Sequence, residues 1–284
     1  MAEIKIAAIM RARIFSPNHI ANDAAILNAT ADQLRKRGYE VNVYAEEQFI
    51  AGAVDEHIIV HMCRDMKSIR LLQKLEDDGA IVVNSGYGIE NCIRERMARI
   101  LPGSGVPYPD SIIVNTDEAV TTKLKEKNLS QCWIKKGDFH SMHKEDVSYA
   151  RHPEEAQEML KEYFLRGIKR AVINRHLEGD WVKFYGVKGT SFFYWFYPFD
   201  TSYNKINGQQ QGTKFVERRM KEICQKAAEE LNVEVYGGDC IISNEGDFHI
   251  IDFNDWPSFG PCRAEAAAQI AKCVISMIKK HKAQ

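Results

Sequence analysis

The chain has 284 residues, with 38 Lys+Arg against 39 Asp+Glu and a formal net charge of −1, long for one compact core and short for three independent ones. A balanced charge without a basic excess argues against a nucleic-acid or membrane-surface binder. Seven cysteines, odd in number, dispersed and without a C-x-x-C pair, argue against a disulfide scaffold or zinc ribbon and suit reduced core thiols in a cytoplasmic protein.

The apolar stretch 4–10, interrupted by Lys5 and followed by Arg11 and Arg13, is too short for a signal peptide or membrane span and reads as a first strand. A polar loop covers 11–22. Ile26, Leu27, Ala31 and Leu34 then predict a helix over 23–37 with one buried face, stopped by Gly38. Strands at 40–44, 57–62 and 80–84, with a helix at 69–76, predict a parallel sheet with crossover helices. Turn formers crowd 102–109 and mark a boundary. Beyond it, short strands at 111–114, 132–136, 171–174, 182–187 and 191–197 suit antiparallel pairing. A segment at 200–213 reads as an exposed loop. The helix after it is built on Met220, Ile223, Cys224, Ala227, Ala228 and Leu231.

The densest chemistry lies between Val235 and Asn254. Asn244-Glu-Gly-Asp247 is a turn signal between two apolar runs, predicting a hairpin in which Ser243 faces Phe248, Ile241 faces Ile250 and Asp239 faces Asp252. Two carboxylates then lie roughly 5 Å apart at Cβ, with Asn254 on the same face. Opposed like charges need a cation or a shared proton, and oxygen ligands of this kind suit Mg²⁺ beside phosphates. The alternative is two turn or edge carboxylates, each with its own basic partner; a one-residue slip would put them on opposite faces.

The sequence Gly-Gly-Asp239-Cys-Ile-Ile, a short turn, then Ile-Ile-Asp252-Phe-Asn254-Asp-Trp-Pro257 resembles the metal strand pair of the ATP-grasp superfamily. The resemblance extends over most of the chain. Residues 71–85 resemble the end of that group's N-terminal lobe, and Gly-Val-Pro-Tyr-Pro109 the passage into its nucleotide domain. Trp133-Ile-Lys135-Lys136-Gly137 resembles the nucleotide-lysine strand, and 172–187 the interlobe linker and following strand. It implies a mixed α/β and α+β fold: an N-terminal parallel-sheet lobe (1–105) and two nucleotide-clasping α+β subdomains (106–175 and 176–284), the last carrying the metal site. It also implies ATP as co-substrate and Mg²⁺, two ions, on Asp239, Asp252 and Asn254.

On the same resemblance, Lys135 or Lys136 contacts the α/β-phosphates, with the choice left open. Arg96, or equally Arg94, supplies a phosphate contact. Asn174 to His176 offer backbone hydrogen bonds to adenine, Glu178 a carboxylate to ribose, and Lys183 further positive charge. Arg263 and Lys205 are candidate catalytic cations, with Lys188 as a substitute for Lys205. Substrate recognition would come from the loop 11–22, from Arg64 and from the turn 257–263, with Arg11, Arg13 and Arg263 as candidate carboxylate clamps. Each has a plainer reading as a surface or edge residue. Two departures stand out: 137–144 holds one glycine where a glycine-rich loop is expected, and 191–197 is aromatic where several ligases carry arginines.

Gly86-Tyr-Gly88 lacks the third glycine of a dinucleotide fingerprint and reads as a tight turn into a helix. His57 and His61 lie in a strand-like run, where a four-residue spacing does not converge on zinc. The expected reaction is ADP-forming carboxylate–amine ligation through an acyl-phosphate. Its partners would be small carboxylate and amine substrates, amino acids and peptides included, with no nucleic acid and no membrane; an oligomer is compatible. The alternatives are a small-molecule kinase of the same fold and a non-catalytic nucleotide-binding module.

Overall fold

The computed structural model describes residues 4–16, 19–138, 144–198, 206 and 209–283. The described residues form three four-stranded sheets. The first contains β1 (Lys5–Met10), β2 (Glu40–Ala45), β3 (Ile58–His61) and β4 (Ile81–Val83) in the order β2-β1-β3-β4, all parallel. Parallel strands need helices on both faces. On one face α1 (Ile20–Arg35) lays Ile26, Leu27, Ala31 and Leu34 on Ile6, Ala8 and Val60. On the other, α2 (Glu46–Ile50), α3 (Met66–Asp77) and α4 (Gly86–Asn91) cover Ala7, Ile9 and Ile59 with Phe49, Ile69, Leu72 and Ile89. The Gly86-Tyr-Gly88 stretch is thus itself a helix, begun by the Ser85 side chain accepting from the Gly88 N–H.

Next come α5 (Arg94–Gly103), β5 (Ser111–Asn115), α6 (Thr121–Glu126), β6 (Cys132–Lys136), β7 (Val147–Ala150), α7 (Pro153–Leu165) and β8 (Arg170–Arg175). The second sheet is antiparallel, in the order β5-β8-β6-β7. Its core joins Ile134, Ala171 and Ile173 to Leu124, Leu160 and Tyr163. The third contains β9 (Asp180–Val187), β10 (Phe193–Phe196), β11 (Val235–Ile242) and β12 (Phe248–Asp255), in the antiparallel order β10-β9-β11-β12. The helix α8 (Glu217–Leu231) backs it together with α5, burying Met97, Leu101, Met220, Cys224 and Leu231 against Phe184, Tyr236 and Phe253. The expectation of a parallel lobe followed by antiparallel α+β units holds.

Two long helices go beyond the expected elements. α7 begins at Pro153, a residue suited to a first helical turn, and carries two glutamates in that turn. The other, α9 (Arg263–His281), returns to the first sheet and packs beside α1, burying Ala266, Ala267, Ile270, Val274 and Ile278. No helix among the described residues is long and apolar enough to cross a membrane. All seven cysteines are buried and free.

Candidate functional site

The metal-type carboxylates are brought together by a register that the turn alone does not set. Ile242 faces Phe248, so the hairpin loop is 243–247 rather than the expected 244–247, and Cys240 faces Ile250. Continued without a break, that ladder would place Asp252 opposite Gly238, on the core side. A bulge between Asp239 and Cys240 shifts the pairing by one, and Asp239 faces Asp252 as expected from the sequence. The burial pattern shows the switch: Phe248 and Ile250 point to the core before the bulge, Phe253 and Asp255 after it. One extra residue thus turns Asp252 and Asn254 to the cleft, a use to which bulges near functional sites are put.

Cations surround these carboxylates. Lys183 Nζ lies 2.8 Å from Asp239 Oδ1, which also accepts from Trp181 Nε1 at 2.7 Å. Arg94, at the start of α5, reaches Asp252 Oδ2 at 3.4 Å. Burial works to raise the Asp252 pKa, but Arg94, then Lys135 and Lys183, together with a hydrogen bond from Asn254, hold it below the usual carboxylate value. Lys135, only 6% exposed, crosses from the second sheet and donates to the carbonyl of Ile251, the bulge residue, at 2.6 Å. Burial, helped by Arg94 against the pull of Asp252 and Asp239, lowers its pKa from 10.5 to about 8. Lys183 shifts the other way: burial opposes its charge, and the contact with Asp239 outweighs that.

Between the second and third sheets lies a cavity of about 320 Å³. Asp239, Asp252, Arg94 and Lys135 stand at one part of its wall, and Trp133, Leu177, Trp181 and Ile241 supply apolar surface. A polar recess of about 280 Å³ is lined by His176 and Glu178 and shares Ile206 with it. The arrangement offers a charged end for phosphates and an apolar slot for a planar base. The donor set of two carboxylates and an amide oxygen is all oxygen, which fits Mg²⁺. Among the described residues no three His, Cys, Asp or Glu side chains converge as a metal cluster.

No protein-family model matches the sequence, and no curated protein matches it. Solved structures do. The D-alanine–D-alanine ligase from Bacillus anthracis complexed with ATP is 14% identical with a TM-score of 0.69, the match covering 98% of this chain and 99% of that one. The RimK domain ATP-grasp protein from Sphaerobacter thermophilus is 15% identical with a TM-score of 0.69, covering 95% and 99%. The VanG D-Ala:D-Ser ligase from Enterococcus faecalis is 12% identical with a TM-score of 0.71, covering 96% and 99%. The chain has the ATP-grasp fold.

Within that ATP-grasp frame the expected site residues divide. Lys135, Lys183, Asp239, Asp252 and Asn254 come together, and strand alternation settles the lysine pair: Lys135 lines the cavity while Lys136, its neighbour on β6, takes the other face. Arg96 does not join them. It pairs with Glu90 at 3.0 Å with its side chain 48% exposed, and Arg94 occupies the cleft instead. Asn174 lies buried on the central strand β8 and donates to Ser111 Oγ at 2.6 Å. The N–H groups of Arg175 and His176 already donate to the carbonyls of Asp110 and Gln131. The His176 ring accepts from Trp133 Nε1 at 3.0 Å, and Glu178 is exposed beside it.

The cations assigned to chemistry or clamping are dispersed. Arg263 donates to Asn22 of α1 at 2.9 Å, and Lys188 lies 4.0 Å from Glu234. Lys205, His140 and His143 lie outside the described residues. Arg11 is committed to Asp23 at 2.9 Å and to the Trp256 carbonyl at 3.2 Å, and Arg64 to Asp255 at 3.2 Å. Among the described cations of this set only Arg13 is exposed, at the edge of a separate cavity of about 310 Å³ in the first lobe. His61 is a core histidine: Nδ1 accepts from the Cys63 N–H, Nε2 bonds the Asn84 carbonyl, and burial lowers its pKa to about 4. Trp181 is the site residue that pattern reading passed over. Its signal is its place two residues before Lys183, on the same strand face.

Proposed function

We propose that the protein is an ATP- and Mg²⁺-dependent ligase that joins a carboxylate to an amine. The observation that carries this reading is the opposed pair Asp239 and Asp252, with Asn254 beside them, facing Lys135, Lys183 and Arg94 across a cleft that ends in an apolar slot. Trp181, Leu177 and Ile241 would hold the base. Lys135 and Arg94 would neutralise the phosphates, one as a point charge and the other as a planar fork. Asp239, Asp252 and Asn254 would hold Mg²⁺, which when bound supplies charge neutralisation across the transferring phosphoryl group.

The chain's own contribution is placement and field, as in phosphoryl transfer generally. A substrate carboxylate oxygen attacks the γ-phosphorus, the bond to the bridging oxygen breaks, and ADP leaves with that electron pair. The amine nitrogen then attacks the acyl carbon, phosphate departs with the C–O pair, and the nitrogen sheds a proton. No side chain has to become a covalent nucleophile.

The test is a thermal-shift titration with Mg·ATP on the wild type and on Asp252→Asn, followed by product analysis over carboxylate and amine pairs. A ligand at a hundred times its Kd adds about 2.7 kcal/mol to the native state, enough for a rise of several degrees. The expected result is a Mg²⁺-dependent rise lost in Asp252→Asn, with free phosphate released only when both co-substrates are present. Phosphate retained on a single acceptor would make the enzyme a kinase. No rise at millimolar nucleotide would overturn the reading.

A further inference from the structure

The face of the third sheet that carries Asp239 continues past the phosphate end. On β9 the residues sharing that face are Trp181, Lys183 and Tyr185, since alternate residues face one way. Trp181 borders the base slot and Lys183 binds Asp239. Tyr185 therefore stands roughly 7 Å further along the strand, on the side away from the base. Register extends the face to β10, where Tyr194 lies opposite Tyr185 and Phe196 opposite Lys183. The rings touch, with centroids 5.5 Å apart for Tyr185 and Phe196, 5.8 Å for Tyr194 and Phe196, and 5.0 Å for Tyr185 and Phe259.

Across the strand pair from Tyr185 stands Gly237. A Cβ there would lie 2.6 Å from the Tyr185 ring and 2.8 Å from Pro257, closer than side-chain carbons come, so the glycine is what lets that ring lie over β11. Tyr185, Tyr194 and Phe196 are each only half-buried. No hydrogen-bond partner for the Tyr185 or Tyr194 hydroxyl is found among the described residues.

We propose that this wall is the seat of the carboxylate substrate being activated, and that it selects one bearing an aromatic ring. The inference rests on the ligase reading, because it places the reacting carboxylate at the Asp239 end. A ring on Tyr185, Tyr194 and Phe196 is then one strand step from the phosphoryl group, the reach of a carboxylate attached through one to three atoms. Offset or edge-on ring contacts give the wall its preference over an aliphatic chain of the same bulk, and the two tyrosine hydroxyls offer donors to polar groups at the ring's edge.

The test compares L-phenylalanine, L-tyrosine, L-tryptophan and 4-hydroxybenzoate with L-alanine, L-leucine and L-glutamate, in the presence of Mg·ATP. Binding is read by saturation-transfer NMR and turnover by ADP release. Wild type is expected to prefer the ring-bearing probes. That preference should fall on the order of tenfold in Tyr194→Leu and in Gly237→Ala, which displaces the Tyr185 ring, and persist in Tyr194→Phe. The Mg·ADP thermal shift checks that each variant folds, and the wild-type comparison decides even if one does not. Ring-bearing probes that do no better than aliphatic ones, or a preference unchanged in both Tyr194→Leu and Gly237→Ala, would overturn the inference alone. Failure of wild type to bind Mg·ATP is a separate readout, and would remove the ligase reading and this inference together.

Discussion

Lys135 shows how one buried ammonium ties affinity to pH. Its folded pKa of about 8 lies below the ordinary 10.5 because burial, with Arg94 adding to it, disfavours the charged form. In the ligand-free protein the unfolded chain therefore holds more protons between those two values. Stability from this group is lowest below pH 8 and rises as the pH climbs toward 10.5. Phosphate binding has the opposite sign, because the anion requires the charged lysine. Affinity for Mg·ATP is expected to be full below pH 8 and to weaken progressively above it. Isothermal titration from pH 7 to 9.5 checks this, and Lys135→Met should bind more weakly with a flat profile over that window. A wild-type profile that is flat would show that Lys135 does not meet the phosphates.

At this scale the sequence left two choices open that geometry closes. Lys135 and Lys136 are identical in type, and only the register of β6 decides which one faces inward. Arg94 and Arg96 lie two apart on one helix, so they point to different sides; which side meets Asp252 depends on where α5 begins, and no capping side chain marks that start.

Among the elements, the hairpin of β11 and β12 was legible in its strands and its key pair but not in its turn. Asp239 does face Asp252, yet through a five-residue loop corrected by a bulge. A trace of the bulge exists in the sequence, since the core-facing residues step from Phe248 and Ile250 to Phe253, a spacing of three. Ile251 hides it, being apolar while facing the cleft. The turn that follows is equally specific: Trp256 and Phe259 have φ of 35° and 51°, an uncommon region for aromatic residues. Both are fully buried, so packing holds the backbone there. Phe259→Ala is expected to cost about 3–5 kcal/mol, measured by urea unfolding, and to loosen Tyr185, whose ring it touches. A loss below about 1 kcal/mol would mean that the turn is held by its backbone alone.

Across the molecule, the fold class was readable because hydrophobic period and turn chemistry are local, whereas the joins between lobes are not. The apolar spacing of Ala267, Ile270, Val274 and Ile278 is helical in the sequence; its destination, beside α1, pairs residues more than 240 positions apart, as the Arg263–Asn22 bond shows. Asn84 is a second such join. Its side chain donates to the Val235 carbonyl and accepts from the Glu234 and Val235 N–H groups, fixing β11 to the end of the first sheet.

Asp255 is the third join and the one closest to the site. It follows Asn254 on β12 but turns to the opposite side, where Arg64 and Arg11 of the first lobe approach at 3.2 and 4.0 Å. All three side chains are nearly enclosed. A buried pair contributes little net stability compared with an apolar substitute, but removing one partner strands the remaining charge and costs about 3–5 kcal/mol. Asp255→Ala is therefore expected to destabilise by that amount, with less than the sum of the single losses in Asp255→Ala with Arg64→Met, because the double variant strands less charge. Urea unfolding of the four proteins in the cycle gives the coupling directly. If the pair also orients the metal strand, Asp255→Ala should reduce the Mg·ATP shift. Additive losses in the cycle would show that Arg11 satisfies Asp255 without Arg64, and that Arg11 rather than Arg64 is the charge that joins the lobes there.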